Sequence, residues 1–353
     1  MPEKDNDVFN LSKPLAITEE AAFQTLLRAE DLMSKGQYEE AHRALQGISR
    51  SFNPATDEQL VARFLIKEGV ISIQKTKWEE ARGYLENAAA VIAPHITQGK
   101  GWEEMGKSVY VDLGKMNWRL ADYPKAKFYL GKVLEISKDN ELVKGRAYLE
   151  LGNVQGEEGA LDDAIFSYNK AIDILEPPKA VDDLARAYNN ISDAYTKKGI
   201  YRWALTFADK AIDISKGRND RNLAIALITG ADALVRMGET KMADEYLDRS
   251  QEALKDKPDR YTQGAILHIR GVIEMQNGHY EAAEIALMGA IEIMLETGIP
   301  FYLGRDYLDL GRLYKKTGDA GKAKQNLLQA LDIFTKHNCL KEAKSAGDEL
   351  KGL

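Results

Sequence analysis

A small residue returns along this chain at a nearly fixed interval, and that recurrence limits the fold more than any other feature. In the stretch ALDDAIFSYNKAIDIL, from Ala160 to Leu175, two alanines stand seven residues apart within an amphipathic helical pattern, Ala164 and Ala171. Segments aligned on the first of them bring Ala41, Ala81, Ala126, Ala164, Ala204, Ala243, Ala283 and Ala323 into one register. Their spacings are 40, 45, 38, 40, 39, 40 and 40 residues. Self-similarity at such a period is the signature of a solenoid, in which each unit buries its apolar face only by stacking on the next.

Upstream of each aligned alanine lies a second helical pattern. Twelve positions before it the residue is always small: Ala29, Gly69, Gly114, Gly152, Ser192, Ala231, Gly271 and Gly311. Five positions before it stands Gly36, Gly159, Gly199, Gly238, Gly278 or Gly318, with Thr76 and Ala121 departing from the rule. Glycine at the end of a helical pattern supplies the left-handed residue that closes the helix. Each unit therefore reads as helix, tight turn, helix. Antiparallel helices that approach to about 8–10 Å need small side chains where they cross. The Gly or Ala of the first helix is thus expected to face the aligned alanine of the second.

This layout resembles the tetratricopeptide repeat family over roughly residues 19–334. The family's pattern is carried by Tyr148, Leu151, Gly152, Gly159, Ala164, Tyr168 and Ala171, and again by Tyr307, Leu310, Gly311, Tyr314, Gly318, Ala323, Leu327 and Ala330. The period of about 40 exceeds the family's usual 34, as in kinesin light chains, spindle-orientation adaptors and bacterial quorum-peptide receptors. The resemblance implies an all-α, right-handed superhelical solenoid of about eight hairpins over residues 17–336. Residues 1–16 are expected to form a flexible tail, and 337–353 a capping helix whose apolar stripe is Leu340, Ala343, Ala346 and Leu350. The segment 93–107 exceeds the other junctions and is expected to bend the array or add a turn.

Function classes narrow from here. The formal net charge of −7 argues against nucleic acid as partner. A single cysteine, Cys339, rules out an intramolecular disulfide and reads as a buried or incidental thiol. No secretory leader or membrane-spanning run is visible, so a cytoplasmic location is expected and membrane insertion is not. His42, His95, His268, His279 and His337 lack metal-ligand spacing, and no phosphate-binding loop occurs. The expectation is a non-catalytic chain with no cofactor and no metal. Most of the sixteen tyrosines fall on packing positions.

In tetratricopeptide folds the first helices of successive units line a concave groove, so the resemblance also implies where a partner binds. Groove positions fall six, three and two residues before the small residue, and one, four and five after it. In the central units they include Lys115, Trp118, Arg146, Asn153, Arg186, Asn189, Asn190 and Asp193. An asparagine amide offers an acceptor and two donors to an extended peptide backbone, and arginines can clamp carboxylates. The three-unit carboxylate clamp of heat-shock co-chaperones is incomplete, because Leu149 stands where it needs a lysine, and Ile225 and Thr229 where it needs Lys and Arg. A second candidate is Arg305, Asp309, Arg312 and Lys315 in the last unit, suited to an acidic segment. The partner expected is a protein or peptide, and monomer and homo-oligomer both stay open. The first reading is a scaffold or adaptor. The alternative is a peptide-responsive sensor resembling quorum-peptide receptors, without a DNA-binding domain because the first unit begins near residue 19.

Overall fold

The computed structural model describes residues 18–49, 58–120, 122–137, 140–175, 180–298, 300–337 and 339–353. The tail expected over 1–16, and Ala121, lie outside them. The described residues form seventeen α-helices and no strand. They fall into two compact bodies, one ending at Val143 and the other running from Lys144 to Leu353.

The first body pairs α1 (Glu19–Ser34) with α2 (Tyr38–Ser49), α3 (Glu58–Gln74) with α4 (Trp78–Ile92), and α5 (Lys100–Arg119) with α6 (Tyr123–Ile136). The second pairs α7 (Glu141–Glu157) with α8 (Leu161–Leu175), α9 (Val181–Lys198) with α10 (Tyr201–Ser215), and α11 (Asp220–Met237) with α12 (Thr240–Ala253). Then come α13 (Arg260–Asn277) with α14 (Tyr280–Thr297), α15 (Pro300–Thr317) with α16 (Ala320–Lys336), and α17 (Leu340–Lys351). The long period goes into helices of up to 18 residues in these later pairs. The segment 93–107 holds a 3-10 turn, Ala93–His95, before α5, and His95 stacks on Trp102 at 4.6 Å.

All six turn glycines are left-handed, with φ between 74° and 87°. The residue after each returns its N–H to the carbonyl five places back, as in Glu239 to Leu234 and Asp319 to Tyr314, both 2.9 Å. Thr76 takes the same conformation with φ 58° and the same return bond, Lys77 to Ser72 at 2.9 Å. The turn thus imposes its geometry on a β-branched residue, which L side chains resist by roughly 1–2 kcal/mol. Thr76→Gly is expected to stabilise the first body by about 1 kcal/mol, read as a shift of the urea midpoint.

The helix crossing departs from expectation by one turn. A Cβ on Gly152 would lie 2.5 Å from the Tyr168 ring, four residues after Ala164, whereas Ala164 itself approaches Gly156. Gly69 likewise meets Leu85, Gly114 meets Leu130, Gly271 meets Leu287 and Gly311 meets Leu327. The gap at the small residue receives a large side chain from the second helix, and the aligned alanine lets the helices close one turn further on. A second close approach, seven residues earlier, sets Gly145 against Leu175, Gly264 against Met294 and Gly304 against Phe334. All eight aligned alanines are fully buried.

At the C-terminus Ala346 is buried, but Leu340, expected in the apolar stripe, is 75% exposed, and Cys339 lies inward beside it. Much of the seat of α17 is ionic. Arg312 Nε donates to Glu349 Oε1 at 3.0 Å and Lys315 Nζ to Glu349 Oε2 at 2.9 Å. Burial pushes the Cys339 thiol up to about 11, which keeps it protonated and unreactive.

Candidate concave site

The helical period decides which side chains share a face. In the second body, α9, α11, α13 and α15 each contribute residues three, four and seven apart to a common concave side. They enclose a cleft of about 110 Å³ lined by Asn189, Asn190 and Asp193 from α9, and by Ile225, Ile228, Thr229 and Asp232 from α11. Tyr261, Ala265, His268 and Ile269 of α13, Met294 of α14, and Tyr302, Arg305 and Asp306 of α15 complete it. A neighbouring cleft of about 390 Å³ continues past Asp193, Lys197, Arg236 and Arg305 to Asp309, Arg312 and Lys341. The two groups that the sequence presents separately, Asn189 to Asp193 and Arg305 to Arg312, thus border one concave space. Lys315 is turned to α17 and is not part of its lining.

The concave side closes on itself. Arg305 of α15 reaches Asp232 of α11 at 3.3 Å, passing over α13. Lys197 of α9 pairs with Asp193 at 3.0 Å and lies 5.0 Å from the Phe301 ring centroid. Its backbone carbonyl accepts a hydrogen bond from Lys341 of α17, 144 residues away. Burial pulls the Lys197 ammonium and the Arg305 guanidinium toward deprotonation, but neighbouring aspartates more than offset this, so both stay charged. Asp232 and Asp309 are buried too, yet adjacent cations hold their carboxyls below the usual range: Arg305 first for Asp232, His268 first for Asp309. Burial dominates at Asp306 and pushes its carboxyl up, although His268 works against it.

The remaining candidates of the second body are engaged with one another. Arg146 Nε donates to Asp183 Oδ2 at 2.6 Å. Arg186 donates to Glu150 Oε1 at 3.2 Å and to Asp183 Oδ1 at 3.3 Å. Asn153 Oδ1 accepts from Asn190 Nδ2 at 2.8 Å and from the Tyr168 hydroxyl at 3.0 Å. The pairs Arg146–Asp183, Arg186–Glu150 and Asn153–Asn190 tie one repeat to the next across 36 or 37 positions. The arginines meant as clamps are therefore already neutralised by carboxylates of the chain. Lys115 and Trp118 are half-buried in α5 of the first body, where Arg119 lies 5.0 Å from the centroid of the Trp78 ring.

Of the cleft residues, all but Tyr261, Met294, Tyr302 and Asp306 fall on the six groove positions of the repeat register. Tyr261 and Tyr302 sit a turn nearer the N-terminal ends of their helices, with ring centroids 5.2 Å apart. His268, set aside in the sequence for lack of metal spacing, is a buried member of the cleft, its Nδ1 2.6 Å from Asp306 Oδ1.

Comparison with known proteins agrees with this architecture. The family profile described as Tetratricopeptide repeat matches residues 108–140, 145–174 and 307–337. Regulatory protein RapG of Bacillus subtilis (strain 168) is 24% identical over 178 residues, covering 50% of this chain and 49% of RapG. The chain spans less than half the length of the curated relatives it matches. Among solved structures, the apo form of the quorum sensor NprR from B. thuringiensis superposes with a TM-score of 0.71 at 15% identity, covering 90% of this chain and 89% of that one. The Rap conjugation gene regulator of plasmid pLS20, in complex with the Phr* peptide, gives 0.65 at 14% identity, covering 91% and 97%. At such identities the likeness is one of fold. No described helix is long and apolar enough to cross a membrane.

Proposed function

We propose that this chain, which carries tetratricopeptide repeats in an all-helical solenoid, is a non-catalytic interaction protein whose second body holds a short extended peptide in its concave cleft. The observation that carries the reading is the lining itself: four consecutive first helices contribute apolar walls and polar tips, Asn189 among them, to one half-open concave space. A site of that kind grips a slender ligand more readily than a broad protein surface. The Phr* peptide complex of the pLS20 regulator, and the quorum sensor NprR, lend support through shared fold. Between the two readings of the sequence, a concave cleft lined from four successive first helices favours the peptide-responsive regulator over the open scaffold.

The test is retention of peptides. The protein is mixed with a random library of short peptides, about four to eight residues and roughly 13–28 Å long when extended, and bound species are recovered by size filtration and identified by mass spectrometry. Wild type is expected to retain a narrow subset. Thr229→Arg puts a long charged side chain into the cleft from a half-buried position and is expected to lower that recovery at least about tenfold, with the circular dichroism unchanged. Retention of no peptide by wild type, or of the same subset by the variant, would count against the site.

A further inference from the structure

The second helices of the second body repeat one packing choice and break it once. Eight residues after the aligned alanine stand Ile172, Ile212, Ile291 and Leu331, but in α12 that place holds Gln251. The three isoleucines are buried. Each belongs to an apolar cluster shared with the following first helix: Ile172 with Leu184 of α9, Ile212 with Leu227 of α11, and Ile291 with Leu310 of α15. Gln251 is exposed. Among the described residues α12 buries three, Ala243, Leu247 and Ser250, whereas α10 and α14 bury six each. Gln251 lines a groove of about 770 Å³ between the C-terminal half of α12 and the N-terminal half of α13, beside Leu254, Pro258, Ile266 and Leu267. The bridges across this seam are polar and lie at the surface: Arg270 of α13 donates to Asp248 at 2.5 Å and to Gln251 at 3.4 Å. Surface pairs of this kind contribute little to holding two elements together.

We propose that the α12–α13 seam is the joint at which the second body bends. Its inner side is packed. Leu234 and Val235 of α11 share one apolar cluster with Ile269 and Ile273 of α13, together with Ala243 and Leu247 from the first half of α12. Close-packed apolar side chains resist separation, whereas a polar seam beside an open groove yields at small cost. The inner packing is thus the fulcrum, and the outer groove is the room for movement. A repeat array bends where the interface between neighbours is weakest. The joint falls between the two walls of the concave cleft. Asn189, Ile225 and Asp232 stand on the α9 and α11 side, and His268, Tyr302 and Arg305 on the α13 and α15 side. Narrowing the outer groove about the fulcrum widens the cleft, and the reverse closes it. The pair of Arg305 with Asp232, at 3.3 Å, crosses the joint on the concave side and limits the widening. This joint is independent of what the cleft holds, so loss of the peptide reading leaves it standing.

The experiment is double electron–electron resonance on the full chain, with Cys339 replaced by alanine and one nitroxide pair introduced at a time. Thr206, Glu245, Ile285 and Gln325 are all exposed, and each stands two residues after the aligned alanine, on α10, α12, α14 and α16. Labels at Thr206 with Glu245, at Glu245 with Ile285 and at Ile285 with Gln325 therefore span three successive seams from like positions. The Glu245 to Ile285 distance distribution is expected to be at least about twice as wide as the other two. Gln251→Ile restores the residue of the other repeats. It is expected to narrow that distribution to the width of its neighbours and to raise the urea midpoint, with the circular dichroism unchanged. Gln251→Ala removes the amide without filling the groove and is expected to leave the distribution broad. Equal widths at all three seams in the unsubstituted background, or no narrowing by Gln251→Ile, would overturn the joint. Narrowing by Gln251→Ala to the same extent would assign the breadth to the amide and not to the open groove, and would overturn it too.

Discussion

Replacing Arg305 with alanine is expected to destabilise the second body by about 3 kcal/mol at neutral pH. The guanidinium is largely buried and bridges to Asp232 at 3.3 Å, with Asp309 close by on its own helix. Removing one partner of a buried pair strands the other charge, and the cost of that stranding exceeds what the pair contributes. Arg236, 3.4 Å from Asp232, offsets part of it. The pH dependence separates this cause from lost packing. The folded-state carboxyls of Asp232 and Asp309 are held low. Their contribution is therefore fully present above the unfolded value of about 3.9, and is lost as pH falls through the depressed folded values. Without Arg305 the carboxyl of Asp232 is less depressed, so the variant loses less on acidification. The gap between wild type and Arg305→Ala in urea unfolding should be widest near neutrality and should narrow below about pH 4. A gap that keeps its size in acid would assign the loss to packing alone.

Adding a single methyl at Gly152 is the second large effect. The new Cβ would lie 2.5 and 2.6 Å from two carbons of the Tyr168 ring. That ring is 5% exposed and tethered through its hydroxyl to Asn153 at 3.0 Å, so it cannot swing aside. Overpacking of this kind costs about 1–3 kcal/mol, and the tether places Gly152→Ala at about 3 kcal/mol by denaturant titration. The other repeats supply the remedy. In the first and sixth repeats alanine occupies the equivalent place, Ala29 and Ala231, and leucine stands opposite, Leu45 and Leu247. The double variant Gly152→Ala with Tyr168→Leu should therefore recover more than about half of the loss, a coupling within the range seen for residues in contact. Additive losses would mean that the crossing is not set by this pair.

The hairpins were legible in the sequence because their determinants are local and periodic. Turn glycines at fixed offsets and small residues at fixed crossings carry the whole helical layout. Even the error of one turn has a simple origin. Two small residues invite pairing with each other, whereas an antiparallel crossing interleaves small with large, as Gly311 with Leu327. The cleft was legible in part. Asn189, Asn190, Asp193 and Arg305 follow from the repeat register alone. Two things were not. The contact between Arg305 and Asp232 depends on rotations accumulated over several helices, which no local pattern encodes. The engagement of Arg146 by Asp183 and of Arg186 by Glu150 depends on partners 37 and 36 residues away on a neighbouring helix. Exposed cations therefore looked available when the chain had already satisfied them.

Repeat arrays held only by adjacent contacts fray from their ends, because the last member has one neighbour and the rest have two. The hydrogen bond from Lys341 to the Lys197 carbonyl, with the Phe301 ring lying near the Lys197 ammonium, gives the final helices of this chain a third anchorage far back in the stack. Peeling the terminus away must break that anchorage as well. Unravelling from the last helix backward therefore has to open the concave side at Lys197.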